Sequence, residues 1–234
     1  MNKLTVTNLF IYPIKSTFRI PLEESKVAYD GLEHDRSFAI INNNDKVITG
    51  RENQDLFKIK TKVENDHLIF IADEQDKYEL SFLKKEEQSK EVLIFTDRID
   101  VKLINDEVNA WISKTIGEAS QLVRIDETKR RKMKPKYNGK DGDFIDFKDA
   151  SAIHLISEAS IKELNKNLDE PVTIHHFRPN IVIKGDEAYS EDLWKKVIIG
   201  ECEFEVAVKT ARGPMITIDQ DTREKNKTQE PLKT

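Results

Sequence analysis

Leu4-Thr5-Val6-Thr7-Asn8-Leu9-Phe10-Ile11-Tyr12 is an apolar-rich stretch that predicts a β-strand. Further short, mostly alternating segments follow over the next hundred residues, separated by turn residues such as Asn42-Asn43-Asn44-Asp45. They are Ser37 to Asn42, Leu56 to Val63, His67 to Ala72, Tyr78 to Phe82, Val92 to Phe95 and Ile99 to Ile104. Many short strands at such spacing favour a barrel or a sandwich.

Three later segments change to helical periodicity. The first lies between Asn105, a candidate N-cap, and Gly117; the second follows Ser157, another candidate cap; the third and shortest lies within Asp186 to Lys196. Their apolar positions are Val108, Trp111, Ile112 and Ile116, then Ile161, Leu164 and Leu168, then Leu193 and Trp194. The sequence therefore predicts an α+β protein in which strands predominate.

The composition excludes several classes of protein. With 234 residues, 38% hydrophobic and 35% charged, the chain can bury a substantial core. Its net charge of −5 gives no reason to expect nucleic acid as a partner. One cysteine excludes an internal disulfide framework, and neither a leader nor an apolar run long enough to cross a membrane is evident. We expect a cytoplasmic protein without a membrane span.

A dense basic run extends from Lys129 to Lys136 beside the turn-rich stretch Asn138 to Gly142. It contains no interleaved aromatic residues. We interpret it as a solvated loop rather than as an anion or nucleic-acid patch. The charged composition between residues 124 and 146 also makes a domain boundary plausible there.

Strands are predicted again at Lys196 to Ile199 and at Cys202 to Thr210. Side chains alternate along a strand, so Cys202, Phe204 and their alternate neighbours share one face, while glutamates occupy the other. Cys202 is therefore predicted to be a small buried apolar residue. A reactive thiol is the alternative.

Arg178 and Asn180 are candidates for binding an anion. Arg178 precedes Pro179, and a residue before proline is expected in extended geometry. Its guanidinium suits bidentate capture of phosphate or carboxylate, although a structural arginine that bridges strand ends fits equally well. Asn180 opens the apolar run Ile181-Val182-Ile183, so its amide must find hydrogen-bond partners or point into a site.

Lys15 and Ser16 follow a proline and form a credible phosphate-contacting pair. Arg36 and Arg51 add cations, although each is more often a surface or ion-pair residue than a ligand. Asp149 could pair with Asp146 as two carboxylates, with helix or turn caps as the more ordinary role.

Metal sites built from histidine are not favoured. His175 and His176 are adjacent in a segment predicted to be extended, so their side chains should point to opposite faces. The other histidines lack ligand-like spacing. No glycine-rich phosphate loop and no Gly-x-Ser-x-Gly elbow is present.

Several motifs together resemble MOSC-domain proteins that carry an N-terminal MOSC β-barrel. The resemblance implies an N-terminal barrel domain over residues 1–124 packed on a MOSC domain over residues 125–234, with a few short helices. In similar proteins the chain continues beyond the segment matching Glu230-Pro231-Leu232, so either the second domain is naturally short or the sequence is truncated there. The motifs are Tyr12-Pro13-Ile14-Lys15-Ser16, Gly31 to Arg36, Thr49-Gly50-Arg51, Phe147 to Ser151, Ile156 to Ser160, Phe177-Arg178-Pro179-Asn180, Tyr189 to Trp194 and Lys209 to Asp219.

The resemblance implies the molybdenum cofactor, a pterin phosphate whose dithiolene holds molybdenum, and reduction of N-hydroxylated small molecules. A separate electron-donor protein is then implied as a partner. Phosphate requires convergent cationic and hydroxyl donors, which the matching residues supply. The positions that match cofactor-binding ones are Lys15, Ser16, Arg36, Asp149, Ser151, Arg178, Asn180, Ala211 and Arg212.

One position departs from the resembling proteins. Where they have a cysteine whose thiolate binds molybdenum, this chain has Gly213, within Thr210-Ala211-Arg212-Gly213. No protein ligand to the metal is therefore predicted. Two hypotheses remain: a cofactor-dependent oxidoreductase whose metal lacks a protein thiolate, and a non-catalytic binding or carrier module that has lost redox activity.

Overall fold

The computed structural model describes residues 4–73, 75–83, 88–104, 106–185 and 187–234. Strands β1 to β8 are Thr5–Ile11, Ile20–Leu22, Val27–Ala28, Gly31–Leu32, Phe38–Asn42, Lys60–Glu64, His67–Ala72 and Gln75–Ser81. Strands β9 to β15 are Ser89–Ile94, Asp97–Leu103, Ser120–Ile125, Leu155–Ser157, Ile181–Lys184, Lys196–Ile199 and Cys202–Glu205. Helices α1 and α2 are Asp106–Ile116 and Glu158–Leu164.

The first part of the chain is organised around a sheet in the order β5-β11-β10-β9. Strand β5 is buried on both faces, because Phe38 and Ile40 belong to one hydrophobic cluster while Ala39 and Ile41 belong to another. Helix α1 and the sheet β6-β7-β8 cover the first face. A strand buried on both sides appears in the sequence as a continuous apolar run, which is what residues 38–41 show.

A second sheet joins the start of the chain to residues 155–184. Its order is β12-β13-β1-β2, so the first strand of the chain lies between β2 and β13. Strand β1 runs antiparallel to β13, with Leu9 opposite Ile181, and β12 runs parallel to β13, with Leu155 opposite the same residue. The first strand is thus shared with residues far along the chain. The predicted domain division between residues 124 and 125 stays a prediction.

The predicted fold class is confirmed, since the described residues are predominantly in strands with two α-helices. The strands predicted at His67 to Ala72 and Lys196 to Ile199 agree end to end with β7 and β14. The prediction for Leu56 to Val63 is wrong in its first half. A 3₁₀ turn, Gln54–Lys58, precedes β6 because the Asn53 side chain caps it by accepting a hydrogen bond from the Asp55 amide.

The helix predictions hold in part. Helix α1 ends at Ile116, as predicted, whereas its candidate cap Asn105 lies outside the described residues. Ser157 does cap α2, and that helix ends at Leu164, short of Leu168. The third predicted helix is only a 3₁₀ turn, Ser190–Leu193, and Asp186 at its predicted start is outside the described residues.

Two predicted apolar contacts are also wrong. Leu193 is 80% exposed rather than packed. The strand predicted from Cys202 to Thr210 ends at Glu205, and Cys202 is half-buried rather than buried. The predicted alternation is present, but Phe204 and Val206 line a cavity of about 720 Å³ instead of packing into a core. This cavity leaves the inner face of β15 partly accessible.

None of the helices among the described residues is long and apolar enough to span a membrane.

The cap of α2 gives a test of the fold. The Ser157 hydroxyl accepts a hydrogen bond from the Ala159 amide at 3.1 Å, and Ser157 is 1% exposed. We expect Ser157→Ala to lower the free energy of unfolding by about 1 kcal/mol, the usual contribution of an N-cap. Denaturant unfolding measures this. Ser25→Ala is the control, because the Ser25 hydroxyl is exposed; equal losses in both variants would contradict the assignment.

Candidate functional site

The candidate site lies at one edge of the sheet β12-β13-β1-β2. Because β1 and β13 are antiparallel, the segment after β1 and the segment before β13 reach the same edge. The segment before β12 also reaches it, since β12 is parallel to β13. The Phe10 amide donates to the Asn180 carbonyl at 2.8 Å, and the Asn180 amide donates to the His154 carbonyl at 2.8 Å. Three distant segments therefore meet here.

Asn180 braces these segments with its side chain. Its Nδ2 donates to the Phe10 carbonyl at 3.1 Å, while its Oδ1 accepts from the His154 amide at 3.1 Å and from Arg36 Nη1 at 3.3 Å. Asn180 is 2% exposed. The prediction that this amide must be satisfied is confirmed, and its partners are mainly backbone groups.

Arg36 is held in place by a buried counter-ion. Its Nη1 donates to both oxygens of Asp35, at 2.8 and 2.7 Å, and its Nη2 donates to the Arg178 carbonyl at 3.2 Å. Asp35 is fully buried and also accepts from the Tyr12 amide at 2.9 Å. This ion pair orients the guanidinium at the edge of the sheet.

Arg178 is not extended as predicted. Its φ of 53° lies in the left-handed region, because Arg178 ends the 3₁₀ turn Ile174–Phe177 and its amide donates to the His175 carbonyl. Turn termination outweighs the preference of a residue before proline. The side chain is directed to the Tyr12 ring, with Cζ 4.1 Å from the centroid, and Arg36 lies 4.2 Å from the same centroid.

The Arg178 guanidinium is buried and incompletely paired. Nη1 donates to Gln220 Oε1 at 2.9 Å, whereas Nη2 is buried without a hydrogen-bond partner among the described residues. Burial lowers the pKa of Arg178 to about 10, so the group remains charged at neutral pH. An anionic ligand would provide both a counter-charge for this buried group and an acceptor for its unpaired N–H.

Lys15 approaches from the loop after β1. Its Nζ donates to the Phe147 carbonyl at 2.7 Å and forms an ion pair with Asp149. Burial lowers the pKa of Lys15, although Asp149 opposes the change. The neighbouring Ser16 is buried with φ of 66°, a tight local turn. Asp146 does not pair with Asp149, because Asp146 binds Arg130 instead.

Arg212 and Gly213 come from the last part of the chain. Arg212 Nη2 donates to the Phe177 carbonyl at 2.7 Å, and its Nε is buried without a partner among the described residues. Gly213 has extended backbone geometry, with φ of −107° and ψ of −179°. A Cβ added at Gly213 would meet nothing within 4 Å, so this position borders open space.

One cavity of about 410 Å³ brings the candidates together. Among the described residues that line this cavity, Asp149 is the only acidic one, so the wall is strongly basic. The role of the predicted site residues in binding a cofactor stays a prediction. The predicted residues that line the cavity are Lys15, Ser16, Arg36, Asp149, Ser151, Arg178, Asn180, Ala211 and Arg212, with Gly213 beside them.

Sequence reasoning missed part of this wall. The sequence predicts a solvated loop for the basic run Lys129 to Lys136, but Arg131 is only 8% exposed, and Lys134 and Lys136 also line the cavity. Asp97 holds both Arg131 and Lys134, with distances of 2.8 and 2.6 Å. Composition alone could not reveal this, because the ion pairs form with a strand more than thirty residues earlier.

The histidines do not form a metal site. His175 and His176 lie on a 3₁₀ turn, which corrects the predicted extended segment. No group of three or more His, Cys, Asp or Glu side chains suited to a metal occurs among the described residues. His154 lines the cavity, and burial with help from Arg212 lowers its pKa to about 3, so it stays neutral there.

Comparison with known proteins agrees with this architecture. Residues 3–119 match the MOSC N-terminal beta barrel domain, and residues 143–234 match the MOSC domain. The chain belongs to the MOSC family, in the group that carries both of these domains.

The chain is similar to proteins named for amidoxime reduction and for the molybdenum cofactor. The chain is 30% identical over 228 residues to mitochondrial amidoxime reducing component 2 of Rattus norvegicus, covering 93% of this chain and 68% of that protein. It is 30% identical to mitochondrial amidoxime-reducing component 1 of Mus musculus, covering 98% and 70%. It is 32% identical to molybdenum cofactor sulfurase of Oryza sativa. That match covers all of this chain but only 31% of the rice protein.

Sulfate tests the cavity as an anion site. At pH 7 Arg178 is charged and His154 neutral. We expect sulfate at about ten times its Kd to stabilise the protein by about 1.4 kcal/mol, which raises the unfolding temperature by about 3–5 °C. Arg212→Gln should lose most of this shift. Arg98→Gln is the control, because Arg98 is exposed and paired with Glu91. Equal shifts in all three proteins would exclude this cavity as the site.

Proposed function

We propose that the basic cavity binds the molybdenum cofactor and that the protein acts in the reduction of N-hydroxylated compounds. The observation that carries the proposal is the convergence of Lys15, Arg36, Arg178 and Arg212 on one cavity. Family membership supports it, as do relatives named for amidoxime reduction and for the molybdenum cofactor.

The donors of the cavity fit a pterin phosphate. Arg178 Nη2 and Arg212 Nε are buried N–H groups without a hydrogen-bond partner among the described residues, and an unsatisfied charged donor in the interior is costly. Phosphate oxygens would supply the missing acceptors. Lys15 and Arg36 are already oriented by Asp149 and Asp35, so they would bind with little reorganisation.

Among the described residues, the wall of the cavity carries no thiol that could bind the metal. Gly213 has no side chain, and Cys202 is not among the residues that line the cavity. When bound, the cofactor would supply the redox chemistry at molybdenum. The role of this chain's residues is then to hold the phosphate, fix the orientation of the pterin and leave the space beside Gly213 open for a small substrate.

A separate electron donor is part of the proposal. The sequence contains one cysteine, and an iron–sulfur cluster bound by cysteine thiolates needs several. Electrons would therefore come from another protein. A cytoplasmic location stays a prediction.

The open space at Gly213 also favours a second function, a non-catalytic cofactor-binding or carrier module. A site that holds the pterin phosphate but leaves the metal without a thiolate would bind the cofactor and release it unchanged. The two functions differ in turnover and share the binding site, so binding is tested first.

Cofactor content tests the shared part of the proposal. Protein purified from a host that makes the cofactor should release pterin, measured by fluorescence after oxidation. We expect Arg212→Gln to reduce the pterin per protein several-fold, since it removes a buried donor, while Arg98→Gln retains it. Background pterin in folded parent protein would refute cofactor binding.

Gly213→Cys tests the missing ligand. The backbone at Gly213 is extended and its Cβ direction is open, so a cysteine fits without strain. An ionised thiol is a strong, soft ligand, and we expect molybdenum content and any N-hydroxy reductase rate to exceed those of the parent. Gly213→Ser is the matched control of similar size. If serine and cysteine variants retain equal metal, the thiolate argument fails; if turnover stays at background with metal bound, the carrier function is favoured.

A further inference from the structure

Phe95 occupies a backbone position that does not suit it. Strands β9 and β10 pair up to Ile94 and Asp97, so Phe95 and Thr96 form a two-residue hairpin turn. Phe95 has φ of 54°, in the left-handed region. Such turns usually carry asparagine or glycine, and a bulky residue there is strained.

Hydrophobic packing does not account for this residue. Phe95 is 39% exposed, whereas its neighbours Val92 and Ile94 are buried in the cluster beneath the sheet. Neither the backbone conformation nor the burial of the ring therefore makes Phe95 favourable for stability at this position. Strain of this kind points to a function of the side chain.

The Phe95 ring lies at the wall of the basic cavity. Its centroid is 5.1 Å from Lys15 Nζ and 5.3 Å from Arg51 Cζ. These cations approach an aromatic surface that is still partly accessible, since Phe95 is 39% exposed. A planar ring in the cavity would meet the same surface, with cationic donors beside it.

We propose that Phe95 is a specificity-determining residue that stacks on the planar heterocycle of the bound ligand while the buried cations hold its phosphate. The inference rests on the proposed function, since it concerns the pterin part of that ligand. It divides the site into two subsites: an anion subsite at Lys15, Arg178 and Arg212, and a ring subsite at the hairpin tip. Ligands with an anion but no ring would use only the first.

The physical basis is the geometry of aromatic contact. Offset stacking needs a rigid flat surface whose position is fixed by the backbone, and a tight hairpin turn fixes it better than a long loop. The Phe95 ring also contributes without a hydrogen bond, so it recognises the shape of the heterocycle rather than its substituents.

Phe95→Asn separates the two subsites. Asparagine tolerates the left-handed turn, so the variant should fold and have at least the unfolding temperature of the parent. The probes are pterin-6-carboxylate, whose carboxylate stands in for phosphate and whose binding changes its fluorescence, and sulfate, followed by thermal shift. We expect the Kd for the pterin to rise about tenfold, the scale of one aromatic stack, with the sulfate Kd changed less than twofold. Phe95→Tyr, which keeps the ring, should bind both like the parent.

The outcomes distinguish this inference from the proposed function. If the parent binds sulfate but no pterin, the proposed function fails and this inference fails with it. If the parent binds the pterin and Phe95→Asn binds it equally well, only the ring subsite is overturned. If Phe95→Asn loses sulfate and pterin to the same extent, the ring acts by positioning Lys15 and Arg51, which also overturns stacking.

Discussion

The antiparallel pairing of β1 with β13 is the constraint on which the rest of the molecule depends. It places the loop after the first strand beside the turn before Ile181, and parallel strand β12 brings a third segment to the same edge. Asn180 fixes the junction by bonding to Phe10, His154 and Arg36 at once. Without this pairing, Lys15 and Arg178 would belong to unrelated surfaces. The cavity exists because the strand order of one sheet brings the start of the sequence beside residues 155–184.

The electrostatics of the cavity follow from that convergence. Cations from several segments share one small space, and the buried carboxylate of Asp35 neutralises only Arg36 directly. Tyr12 relieves part of the cost, because its ring contacts the guanidinium groups of both Arg36 and Arg178. The remaining cost appears as the lowered pKa of Arg178 and as its Nη2, which has no acceptor among the described residues. Under the proposed function, an anionic ligand would supply the missing acceptor and reduce this cost.

Strand content and the main cationic residues could be predicted from the sequence, because alternation, turn residues and motif order are local signals. The predictions failed where contacts between residues far apart in the sequence determine conformation or burial. Arg178 takes a left-handed conformation because a 3₁₀ turn ends there, and Arg131 is buried because Asp97 on another strand binds it. Phe95 in a hairpin turn contradicts local turn preference, so no propensity could assign it to the cavity wall. Cys202 lies on the predicted face, but the space that this face borders is a tertiary property.

The long sequence separation within the β1–β13 pair also has a consequence for biosynthesis. Asn180 and Phe10, which join across it, are 170 residues apart. On a ribosome, β1 emerges early and must wait for most of the chain before its partner strand is available. Until then one edge of β1 is unpaired, and the apolar residues Phe10 and Tyr12 lack their native contact with Val182 of β13. The cavity between these segments can therefore form only late in synthesis or after release of the chain.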